Sequence, residues 1–133
     1  MAILINCHAA DLVGDNEFRL TVPKERGLRL VEADEVFLWI SDAKEEEAKE
    51  HGLTIWGELA SLQSTRQGTS VTVRVRERLT KGCFGLDALS LAAGARDAAH
   101  SLHQRIAPNA RRRVWAPSSG ERQFLDAVFR ACA

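Results

Sequence analysis

The chain has 133 residues, 45% of them apolar and 27% charged, with a formal net charge of zero. That size and balance fit one folded domain over residues 1–133 with a real core, and they exclude a disordered chain. No apolar run approaches the roughly 18 residues needed to cross a bilayer, and the start MAILINCHAADL lacks the basic and apolar stretches of a signal peptide, so neither a membrane partner nor a leader is expected.

The first predicted element is a buried strand over residues 3–6. Residues 18–22 alternate apolar and polar until Pro23, which predicts a short strand or extended segment. Residues 27–32 form a connector. Residues 35–41 make a strand that is apolar on both faces, with Trp39 near its centre. Asp42 and Glu45 have capping-box spacing, and Gly52 supplies a stop, so residues 43–51 are predicted as a short solvated helix. A long strand covers 53–63, where Gly57 implies a bulge or a close backbone approach. Residues 65–70 are a polar turn. Val71, Val73 and Val75 then face one way, and Thr72, Arg74 and Arg76 the other, as in a half-buried strand with a basic outer row. Residues 86–91 and 95–106 are helical by spacing, and Pro108 ends the second. Val114 and Trp115 make a last short strand. Ser118 and Glu121 repeat the capping-box spacing ahead of an apolar helix face formed by Phe124, Leu125, Val128 and Phe129. Five or six strands with short connections favour an α+β fold built on a small barrel or sandwich.

The neutral total conceals an asymmetry. Residues 1–65 carry 6 Lys/Arg against 13 Asp/Glu, whereas residues 66–133 carry 12 against 5. The basic half is almost all arginine, the side chain suited to bidentate phosphate contacts. Arg74, Arg76 and Arg78 line one strand, and Arg111, Arg112 and Arg113 precede Trp115. Arginines beside aromatic side chains are the footprint of nucleic-acid binding, although strand arginines also protect edges. Trp39 and Trp56 fall on neighbouring strands, where two indoles can sandwich a planar base or simply fill a core.

Other chemistry has less behind it. Cys7 adjoins His8, and His100 and His103 lie three apart, but zinc spacings are missing, so no metal or other cofactor is expected. Nucleophile and phosphate-loop motifs are missing too. Asp34, Glu35, Asp42 and Glu58 are the carboxylates available for acid–base work. Cys7, Cys83 and Cys132 are an odd, scattered set, which predicts reduced thiols and a cytoplasmic protein rather than a disulfide framework.

The order of segments resembles the PUA-like superfamily and, within it, the EVE group, relatives of the YTH and ASCH domains. The segments concerned are Ile3-Leu4-Ile5-Asn6, then Thr21-Val22-Pro23, then Ala33-Asp34-Glu35-Val36-Phe37-Leu38-Trp39. Gly52-Leu53-Thr54-Ile55-Trp56-Gly57-Glu58-Leu59-Ala60-Ser61 follows, and the next barrel strand fits VTVRVRERL. The likeness covers residues 1–80, with Ala33 standing where the pattern has glycine. It implies a small curved PUA-like β-barrel of five to six strands with peripheral helices. Its aromatic pocket would take a flipped or modified base of DNA or RNA. By position, Asn6 and Trp39 would sit at that pocket with Ser41 at its rim, and strand order adds His8 and Trp56. Arg74, Arg76, Arg111, Arg112 and Arg113 would hold phosphates. Extrusion of the base would explain why a pocket is needed. The expected role is therefore a nucleic-acid-binding module rather than an enzyme. An ASCH-like hydrolase acting on RNA or modified nucleosides, with Glu58 or Asp42 as base, is the first alternative. A protein-interaction module using the C-terminal helix is the second.

Overall fold

The computed structural model describes residues 1–41, 51–79, 84–106 and 113–132. The predicted helix over 43–51, with its Asp42–Glu45 cap, therefore falls almost entirely outside the described residues, as do Arg111 and Arg112. Among the described residues, six strands form one mixed sheet: β1 (Ala2–Cys7), β2 (Glu17–Val22), β3 (Glu35–Ile40), β4 (Gly52–Thr65), β5 (Gly68–Arg78) and β6 (Arg113–Trp115). Their order is β2-β5-β4-β3-β1-β6. β1 and β3 run parallel, and the other neighbours are antiparallel. Three helices accompany the sheet: α1 (Leu86–Ala93), α2 (Asp97–Ile106) and α3 (Ser119–Cys132).

The sheet must curl, and the core shows why. Phe18, Leu20 and Val22 of β2 share one apolar cluster with Ile3 and Ile5 of β1. Those strands are separated in the sheet by β5, β4 and β3. In a flat sheet they would lie roughly 19 Å apart at the usual strand spacing, too far for side chains to meet. The curl brings both sides onto one interior, but among the described residues β2 and β6 do not pair. The result is the expected α+β arrangement of a curled six-stranded sheet with peripheral helices, with the barrel left as an open half-barrel.

A second cluster lies on the opposite face, where Leu4, Phe37, Trp39 and Leu53 meet Leu89, Ala99, Leu102, Ile106, Phe124, Leu125 and Phe129 of the helices. β3 is apolar on both faces because both are covered: Val36, Leu38 and Ile40 point into the curl, Phe37 and Trp39 toward the helices.

Local signals hold where they were chemically definite. The Ser118 hydroxyl accepts the Glu121 N–H at 3.1 Å, and the Glu121 carboxylate accepts the Ser118 N–H at 2.8 Å, closing the capping box of α3. The β4–β5 register shifts at Trp56/Gly57, and a Cβ at Gly57 would collide with the Arg74 carbonyl, so this glycine permits both the bulge and the approach. The polar turn predicted over 65–70 is smaller than expected. Strand pairing continues to Thr65 opposite Gly68, leaving only Arg66 and Gln67 at the tip. Serine and threonine can extend a projecting hairpin as readily as a loop, so composition overstated the turn.

The cysteines also depart from expectation. Cys7 is a buried thiol, but Cys132 is disulfide-bonded, to a partner outside the described residues. An odd count leaves room for one bridge, and spacing alone does not reveal it. Among the described residues no helix is long and apolar enough to cross a membrane.

Candidate nucleic-acid interface

Residues paired across a sheet project to the same face. Asn6 of β1 pairs with Arg113 of β6 on one side and with Trp39 of β3 on the other. Trp39 in turn pairs with Leu53 of β4. Arg113, Asn6, Trp39 and Leu53 thus form one row across four strands, on the helix-covered face. By the same alternation His8, Ser41 and His51 follow at the ends of β1 and β3 and at the start of β4. The parallel pair therefore ends in a group of polar side chains set above a buried amide and an indole.

Each member has a definite environment. Asn6 is 0% exposed, a fully buried polar side chain. Trp39 is 2% exposed. Its indole meets the Phe84 ring edge-on, at 6.3 Å between centroids and 85° between planes, and Phe84 meets Phe124 at 5.7 Å and 69°. The half-buried Ser41 donates from both its N–H (3.0 Å) and its hydroxyl (3.2 Å) to the Cys7 carbonyl. His8 is half-buried, and its N–H donates to Asp11 Oδ2 at 3.0 Å. Arg113 is half-buried, and among the described residues no carboxylate pairs with it.

Trp56 lies on the helix-covered face like Trp39, one row further along, opposite Phe37. Its surroundings are charged. The indole N–H donates to Glu35 Oε2 at 3.1 Å, and the Arg76 guanidinium lies 5.4 Å from its ring centroid. Arg122 of α3 grips the same Glu35 through two hydrogen bonds of 2.8 and 3.0 Å. That carboxylate, by hydrogen bonding and by charge, raises the Arg122 guanidinium above its ordinary pKa.

Glu35 and Glu58 are directly paired across β3 and β4. Like charges in that position repel, and the neighbouring arginines offset them. Arg76 contacts Glu58 at 3.0 Å, and Arg74 lies 3.6 Å from both Glu58 and Glu17. The basic outer row of β5 is therefore a mixed-charge ladder. Of the residues expected at the site, the fold gathers Asn6, His8, Trp39, Ser41 and Arg113 at one end of the sheet. Trp56, Arg74 and Arg76 belong to the separate charged ladder.

Two contributors escaped sequence reading. His51, almost fully buried, immediately precedes β4. Phe84 covers Trp39, and nothing in the stretch KGCFG announces that contact. Among the described residues no group of three or more His, Cys, Asp or Glu side chains is placed to hold a metal. The chain matches no protein-family model, no curated protein and no solved structure.

Proposed function

We propose that the protein is a nucleic-acid-binding module of the PUA-like, EVE-type kind, which takes a flipped or modified base at the end of the β1–β3 pair. The observation that carries this reading is the row Arg113–Asn6–Trp39. A half-buried guanidinium with no carboxylate against it among the described residues is costly unless an anion completes it. A nucleic-acid phosphate supplies that anion. The adjoining Asn6 carries an amide, the kind of group that reads a base edge, and the buried Trp39 beneath Phe84 is the aromatic member of the row. The segment order of residues 1–80 and the curled sheet support the same assignment. Arg111 and Arg112 would extend the phosphate contact. Arg74 and Arg76 would add to it only by giving up Glu58.

The hydrolase alternative rests on Glu58, whose carboxylate is already engaged by Arg76 and faces Arg74, and on Asp42, which lies outside the described residues. The interaction-module alternative would use the C-terminal helix, but Phe124, Leu125 and Phe129 there are buried against the sheet, and the exposed Leu91 lies on α1 instead.

Fluorescence anisotropy with single- and double-stranded DNA and RNA, plain and base-modified, tests the proposal at low and moderate salt. Binding should weaken as salt rises, and Arg113→Ala should cost about tenfold in affinity, as loss of a charge-assisted phosphate contact does. Trp39→Phe is the appropriate aromatic probe, because truncating so buried an indole to alanine would cost about 3–5 kcal/mol of stability. No binding at low salt, or affinity indifferent to Arg113→Ala, would refute the proposal.

A further inference from the structure

We propose that Phe84 occupies, from within, the seat of a planar aromatic ligand ring, and that the seat opens when the Phe84 side chain swings out. This rests on the base-binding reading above and deepens it: the group that replaces Phe84 is a nucleobase.

Chemistry and burial are at odds at Trp39. An indole that stacks on a ligand needs an accessible surface, yet Trp39 is 2% exposed. The group lying against it is a phenyl ring that is itself half-buried and reaches solvent. Beyond that ring stands Phe124, at 5.7 Å, so Phe84 fills a slot with an aromatic wall at either end. Arg96 lies over the ring of Phe124 at 5.7 Å, bringing a cation to the far wall. A flat heteroaromatic ring matches this slot in shape and in π character.

The backbone at Phe84 is fixed while its ring is not. The Phe84 carbonyl accepts the Leu53 N–H at 3.1 Å. It also lies so close to Gly52, at φ +63°, that a Cβ there would collide with it. The main chain is thus pinned to the start of β4. The half-buried ring rests on the apolar cluster under the helices and meets Trp39 and Phe124 edge-on, contacts of the modest strength such pairs have. Rotation about the side-chain bonds vacates the slot without unpairing β4. Asn6 is the register partner of Trp39 in the adjoining strand, which puts an amide on the row that the vacated space adjoins.

The test uses the full chain carrying Phe84→Ala, with toluene and adenine as millimolar probes and the thermal midpoint as readout. A ligand that enters the emptied slot binds the folded state alone and raises the midpoint. Both probes should raise that of Phe84→Ala, by about 3 °C or more, and leave the wild type unmoved. No shift with either probe in a folded variant overturns the proposal, as do equal shifts in the wild type. A shift with toluene alone overturns the nucleobase assignment. Should Phe84→Ala not fold, Phe84→Leu is read by oligonucleotide affinity, expected about three- to tenfold tighter than wild type because an edge-to-face contact no longer competes. Unchanged or weaker affinity then contradicts the proposal. Failure of the wild type to bind any oligonucleotide would instead refute the nucleic-acid reading, and the toluene result separates the two failures.

Discussion

Ala33 holds φ at 71°, a conformation that residues with a β-carbon rarely adopt. It leads into Asp34, whose carboxylate accepts from the Val31 N–H at 2.9 Å and from the N-terminal ammonium at 3.3 Å. The turn therefore keeps the shape that the glycine of the resembling pattern would favour, and bears the strain. Ala33→Gly should raise the unfolding free energy by about 0.5–1 kcal/mol, relief of left-handed strain less the added freedom of the unfolded chain. A higher denaturation midpoint in urea checks it. Glu121 is the converse case, a carboxylate 1% exposed. It accepts from the Ser101 hydroxyl at 3.0 Å and the Ser118 N–H, with Arg105 at 3.6 Å. Glu121→Ala would strand both donors and should cost about 2–3 kcal/mol, against about 1 kcal/mol for Ser118→Ala, which removes the cap alone. Urea denaturation of the two variants distinguishes these values. The capping spacing of Ser118 and Glu121 is visible in the sequence. The bond to Ser101 is not, because it depends on where α2 packs.

At the scale of elements, β4 and β5 show what alternation conveys and what it omits. The valines of β5 point into the core as their spacing requires, with Val71 and Val73 buried. The same spacing placed Arg74 and Arg76 on the outer face, where they are. It did not place Glu17 and Glu58 opposite them, since register between distant strands is absent from either strand's sequence. A row that looks basic along the chain is balanced across the sheet. Glu58→Gln removes the shared counter-charge, freeing Arg76 from it and leaving Arg74 with Glu17 alone. Non-specific nucleic-acid binding should then tighten by about threefold or more at low salt, with a steeper salt dependence as a further phosphate can be neutralised. Parallel salt titrations of wild type and variant measure it, and an unchanged slope would remove these arginines from the interface. The Glu35–Arg122 clamp between β3 and α3 behaves differently. The cation's pKa is raised in the folded state, so the contribution is fully present below the unfolded value. It is lost only as pH rises through the still higher folded one. The arginine side of this clamp therefore does not respond to pH near neutrality.

For the molecule as a whole, the strands and helices were legible because each carries its own period, and β3 announced its double burial by being apolar throughout. The open curl was less so, since it follows from β2 and β1 meeting across three intervening strands. Trp39 was singled out correctly as large and central, but its cover by Phe84 and Phe124 is a long-range packing outcome that no local pattern encodes. The thiols illustrate the same limit, for the bridge at Cys132 is not encoded in the spacing of the cysteines. The central claim is that nucleic acid binds at the Arg113–Asn6–Trp39 end and not on the β5 ladder. An amide and indole NMR titration with a single-stranded oligonucleotide at low salt addresses it most directly. The account predicts shifts at Asn6, Arg113 and the Trp39 indole, with the Trp56 indole and the amides of Val71 and Val73 unmoved. Shifts confined to Trp56 and β5, or none anywhere, would contradict it.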